Sequence, residues 1–163
     1  MVNKVIKYSP VGIVHSPFHK VKGTPIQPAG AAGAEGRVEV FPEYVEGLKD
    51  LDGFSHIILV YHFHMAKHTS MRNRPFLDKQ ERGIFAIRSP NRPNPIGISV
   101  LRLDRMEDNI LHVRDVDILD GTPVLDIKPY VPEFDCMEAD RVGWLSGNLH
   151  KLAITRDDGR FVK

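Results

Sequence analysis

Cysteine occurs once in 163 residues, as Cys136, which excludes a disulfide framework and any zinc site built on several thiolates. No apolar run approaches the length that crosses a bilayer, and the N-terminus lacks the apolar stretch of a secretory signal. A cytoplasmic protein without a membrane partner is expected. Neither sign of charge dominates: 22 Lys plus Arg face 21 Asp plus Glu, a net charge of +1. That balance excludes a bulk polycation but leaves room for a local basic face. No Gly-x-Gly-x-x-Gly is present, so the Rossmann fingerprint of dinucleotide and common methyl-donor sites is missing. What remains is an ordinary soluble composition, 42% hydrophobic and 26% charged. It is carried on one domain's length of chain, 1–163, enough to bury a core unaided.

The small net charge hides segregation. Residues 1–34 hold four lysines (Lys4, Lys7, Lys20, Lys22) and no acid. Residues 67–92 carry Lys67, Arg72, Arg74, Lys79, Arg82, Arg88 and Arg92 against only Asp78 and Glu81. Residues 104–140 then hold eleven acids against Arg105, Arg114 and Lys128. Such blocks make either mixed solvated faces or a dipolar surface whose basic side meets a polyanion.

Hydrophobic periodicity is mainly that of strands. Short β-branched or alternating runs at 11–16, 36–41, 54–63, 83–88, 96–106, 110–118 and 124–127 read as strands. Asp108-Asn109 reads as a hairpin turn, and residues 152–155 before Asp157-Asp-Gly-Arg as part of a terminal hairpin. Helical signals are confined to one or two turns at 43–48 and a short piece at 139–145. The expected fold is therefore all-β, a small barrel or sandwich with a few short helices. Two proline-rich loops, Thr24-Pro-Ile-Gln-Pro and Ser89-Pro-Asn-Arg-Pro-Asn-Pro-Ile-Gly, have little conformational freedom to lose and suit binding groups.

Among residues that could carry chemistry, His62 and His64 lie two apart at the end of the most apolar run, with His68 following. They lack the further ligands a zinc site needs, so no metal is expected. Cys136 has no local nucleophile motif and reads as a small half-buried residue. Arg88 and Arg92, on and beside the stiff loop, suit a carboxylate or phosphate, or else salt bridges to the acidic half. Asp120-Gly-Thr-Pro is a turn by composition, whose acid could instead accept from a ligand amine or hydroxyl.

Five segments occur in order: Val11-Gly-Ile-Val-His-Ser-Pro-Phe, Gly53-Phe-Ser-His, His62-Phe-His, Phe85-Ala-Ile-Arg-Ser-Pro-Asn-Arg-Pro-Asn-Pro-Ile-Gly, and Leu119-Asp-Gly-Thr-Pro-Val-Leu-Asp-Ile-Lys-Pro-Tyr. Together they closely resemble the TsaA-like family from Val11 to about Pro132. The resemblance implies an S-adenosylmethionine-dependent methyltransferase on a β-barrel, usually a homodimer. Its implied acceptor is N6 of threonylcarbamoyladenosine beside the tRNA anticodon. It also implies a compact form without the C-terminal domain that bacterial members often add. Carried over by position, the donor site comprises Pro25, Gln27, His64, Met65, Arg88, Ile98, Asp120, Gly121, Thr122 and Pro123. Asp120 and His64 are the candidate catalytic residues by type, and Arg72, Arg74 and Arg92 the candidate RNA contacts. Ile26 stands where the family commonly has Arg. The competing readings are a methyltransferase for another small substrate and a non-catalytic S-adenosylmethionine sensor.

Overall fold

The computed structural model describes residues 5–161; Lys4 lies outside them. Within the described residues eight strands follow one another: β1 (Gly12–His15), β2 (Glu35–Val40), β3 (His56–His62), β4 (Arg72–Asn73), β5 (Arg82–Gly83), β6 (Ile96–Glu107), β7 (Ile110–Arg114) and β8 (Pro123–Pro129). Six of them close a barrel in the order β1-β2-β7-β6-β3-β8, every neighbouring pair antiparallel. Closure removes free strand edges. The all-β expectation holds.

The alternating residues point inward as their period demands. Ile57, Leu59 and Tyr61 of β3, Leu101 and Leu103 of β6, and Leu111 and Val113 of β7 all enter one core with Val14, Val38 and Val124. Register fixes which end of the barrel is which. His56 pairs with Arg102 and His62 with Ile96, so the end of β3 and the start of β6 share one rim. Asp108 turns the β6–β7 hairpin with a left-handed backbone, φ 53°, as the Asp-Asn pair anticipates.

Five expectations need correction. The strand expected over 110–118 stops at Arg114 because Asp115 adopts φ 66°, its carboxylate holding the Gly33 N–H at 2.7 Å. The strand expected over 83–88 is a 3-10 turn at Ile84–Ala86, since Ile84 and Ile87 bury a three-residue spacing while Phe85 is exposed. The terminal hairpin does not form. Backbone bonds at 148–155 close locally, and the extended residues that follow find a partner elsewhere: Arg156 bridges Pro25, and the Asp157 N–H donates to the Thr24 carbonyl at 2.8 Å. Cys136 is exposed rather than half-buried, because it follows the solvated helix α1 (Pro132–Asp135). The helical piece expected at 139–145 contracts to a turn at Gly143–Leu145.

Candidate functional site

At the rim shared by β3 and β6 the chain leaves a cavity of about 660 Å³, within the range of small-molecule sites. The barrel supplies Tyr61, Gly97 and Ile98; the loop after β3 adds Phe63, His64 and Met65. The first proline-rich loop contributes Pro25, Ile26 and Gln27, the second Arg92, and the residues leading into the second Ile87 and Arg88. Trp144, Leu152 and Phe161 of the C-terminal segment form a further part of the wall. Gly97 is required here. It pairs with Tyr61 across the sheet, and a Cβ at this position would meet Phe63 Cζ at 2.8 Å and the Tyr61 ring more closely still. The two rings pack edge to face, centroids 5.4 Å apart, against the space the glycine leaves.

Seven of the expected donor-site residues line this cavity: Pro25, Gln27, His64, Met65, Arg88, Ile98 and Thr122. Two links tie them together. Arg88 Nη1 donates to Gln27 Oε1 at 3.2 Å, joining the two proline-rich loops, and Thr122 Oγ1 lies 3.3 Å from His64 Nδ1. Burial, and next the neighbouring His62, push the His64 imidazole below its usual range, which favours its neutral form.

Asp120, Gly121 and Pro123 stand outside the lining. The Asp120 carboxylate accepts the Ser16 N–H at 3.0 Å on one oxygen and faces His19 Nδ1 at 3.3 Å on the other. Gly121 turns the chain with φ 77°, and Pro123 opens β8 opposite Ile13. This tetrapeptide acts as a turn that seats Thr122.

The expected RNA-contacting arginines separate. Arg92 lines the cavity, but its Nη1 donates to the carbonyls of Ile87 (2.9 Å) and Ser89 (3.3 Å), which braces the rigid loop. Arg72 and Arg74 are exposed at and beside β4, away from the cavity lining. Arg82 pairs with Asp78 through Nε at 2.8 Å and is neutralised there. Among the described residues no cluster of three or more His, Cys, Asp or Glu is placed to hold a metal.

Sequence reasoning missed Tyr61, Ser99 and Asp117. Ser99 Oγ donates to Asp117 Oδ1 at 2.7 Å and lies 3.1 Å from the Tyr61 hydroxyl. Asp117 lines the cavity beside Arg88. Burial pushes its carboxyl up to about 6, against the lowering pull of the Ser99 bond and the Arg88 charge. Tyr61 is likewise pushed up, by burial and then by Asp117, and stays protonated. The available signal was an acid set between two β-branched apolar residues, Val116 and Ile118.

The family model described as the tRNA-methyltransferase O N-terminal domain matches residues 13–136. A protein of Pyrococcus abyssi, described as a probable S-adenosyl-L-methionine-binding protein, is 60% identical over 157 residues, 96% of this chain and 85% of that one. The human tRNA (adenine(37)-N6)-methyltransferase is 36% identical over 133 residues, covering 77% of this chain and 30% of its own. Among solved structures, TrmO from Pseudomonas aeruginosa superposes with a TM-score of 0.72 at 39% identity, over 86% of this chain and 63% of that one. This chain thus spans less than two thirds of the solved TrmO and under a third of the human protein. On the matched domain, the barrel and the cavity at its rim, the chain belongs to the tRNA-methyltransferase O N-terminal domain family.

Proposed function

We propose that the protein is an S-adenosylmethionine-dependent tRNA methyltransferase whose acceptor is N6 of threonylcarbamoyladenosine. The observation that carries the donor half is the cavity itself. It pairs an apolar and aromatic wall (Phe63, Ile98, Leu152) with a guanidinium, Arg88, held by Gln27. Such a site fits S-adenosylmethionine: Arg88 would hold the carboxylate, and the apolar wall the adenosine. The donor supplies an activated methyl on a sulfonium. The same burial that lowers His64 disfavours a second positive charge in the cavity.

The acceptor half is supported by the named activity of the human relative at adenine N6 and by Arg72 and Arg74, which stand exposed in the basic stretch. Their guanidiniums suit RNA phosphates, while the modified base itself supplies specificity within the cavity. The test is incubation with donor and with tRNA from cells possessing or lacking the threonylcarbamoyl modification, followed by digestion to nucleosides. A methyl gained only on the modified base supports the reading. Equal methylation of both pools, or of neither, moves it to another substrate, a change to which Ile26 in the cavity wall would contribute.

We also propose a homodimer. Ile58 pairs with Val100 and Val60 with Ile98 on the outer face of β3 and β6, next to Ile96. Ile98 is 55% exposed, and it lines the cavity as well, so a second copy seated on this face would adjoin the site.

A further inference from the structure

Asp117 follows the left-handed turn at Asp115, flanked by Val116 and Ile118, which are fully buried. Those two anchors fix the backbone, so the carboxylate between them has a set position on the cavity wall. Its Oδ1 accepts from Ser99 Oγ at 2.7 Å, and Ser99 is itself buried. A serine hydroxyl carries one hydrogen, and here it goes to Asp117. Tyr61, 3.1 Å from the same oxygen, must therefore donate to Ser99. The result is a directed chain, Tyr61 to Ser99 to Asp117, that orients one carboxylate oxygen. The carboxylate's other hydrogen-bond partner is the N–H of Asp117 itself. The two groups favoured by residue type are otherwise engaged: His64 faces Thr122, and Asp120 holds Ser16 and His19.

We propose that Asp117 is the proton acceptor of the methyl transfer, with Ser99 and, through it, Tyr61 as its positioning residues. The inference rests on the methyltransferase function proposed above. A nitrogen bonded to a carbonyl is a poor nucleophile while it keeps its hydrogen. As the new N–C bond forms, the N–H pair becomes available through transfer of that proton to Asp117. The donor's S–C bond breaks with its electrons left on sulfur, converting the sulfonium to a neutral thioether. The proton then leaves the carboxyl for solvent. Burial raises the Asp117 proton affinity while leaving the group mostly ionised at neutral pH, the compromise a general base requires.

The experiment compares wild type with Asp117→Asn, Ser99→Ala and Tyr61→Phe. It measures donor affinity by calorimetry and single-turnover methylation of threonylcarbamoylated tRNA from pH 5 to 8.5. Asp117→Asn should lower the rate about 100-fold or more with donor Kd within about threefold, the retained affinity reporting an intact fold. The wild-type rate should rise with pH through about 6. Ser99→Ala should move that midpoint upward, because the lost hydrogen bond favoured the ionised form; Tyr61→Phe should move it less. An Asp117→Asn rate equal to wild type overturns the inference. So does a loss of donor affinity that matches the loss of rate, which would make Asp117 a donor ligand. A wild-type enzyme that places no methyl on any tRNA overturns the proposed function, and this inference with it.

Discussion

Trp144 Nε1 donates to the Ala86 carbonyl at 2.8 Å, tying the C-terminal segment to the turn that precedes Arg88. The indole also lies under Arg82, 5.8 Å from ring centroid to guanidinium carbon. Residues beyond the matched domain thereby wall the cavity, with Leu152 and Phe161 following Trp144 across it. Replacing Trp144 with Ala should weaken donor binding while the barrel stays folded. An indole hydrogen bond is worth about 0.5–1.5 kcal/mol, roughly 2- to 12-fold in Kd. Calorimetry with S-adenosylmethionine checks this, and an unchanged Kd would show that the segment covers the cavity without shaping it.

Arg88→Ala should weaken donor binding far more than Arg72→Ala. Arg88 lines the cavity and is held by Gln27, whereas Arg72, on β4, is outside its lining. Losing one charge-assisted bond costs about 1.5–3 kcal/mol, so the first variant should lose roughly 10- to 150-fold in affinity. Arg72→Ala should instead weaken tRNA binding and flatten its dependence on salt. Equal donor affinities in the two variants would remove Arg88 from the donor site.

Asp117 should make stability depend on pH in a direction its burial explains. Its folded carboxyl is raised to about 6 from 3.8, so its contribution is present below the unfolded value and lost as pH rises through 6. Asp117→Asn should therefore be the more stable protein at pH 7–8, by up to about 3 kcal/mol from the size of the shift. The difference should shrink toward zero below pH 4. Urea titrations at pH 3.5 and 7.5 measure it; a gain equal at both would assign the effect to packing.

Gly97→Ala should destabilise the barrel by about 1–3 kcal/mol, the usual range for overpacking. The added methyl would press on Tyr61 and Phe63 and displace the hydroxyl that supports Ser99. Gly47→Ala is the control, since a Cβ there meets nothing within 4 Å. Chemical denaturation compares the two, and equal midpoints would count against the close approach.

The barrel was legible in the sequence because period-two burial is a local property. Val38 and Val40, Ile57, Leu59 and Tyr61, and Leu111 and Val113 alternate along the chain as they do in space. The Asp108-Asn109 turn was legible for the same reason. Residues 83–88 were misread because their apolar character is continuous, and only the surroundings decide that Ile84 and Ile87 are buried while Phe85 is not.

The site divides along the same line. The sequence by itself determined the six barrel strands, the two stiff proline loops and the residue types at and beside them that face the cavity, because prolines and alternating side chains act on their own neighbours. Tertiary structure alone decided which carboxylate enters the cavity. Asp117 and Asp120 are three residues apart in one acidic stretch, and although one sits between β-branched residues and the other opens a turn, neither pattern says which faces the cavity. Strand register brings Ser99 of β6 to Asp117 at 2.7 Å, while the turn at Gly121 directs Asp120 to Ser16. Hydrogen bonds between residues 18 and 104 positions apart are set by how the barrel closes, and closure is a property of all six strands together.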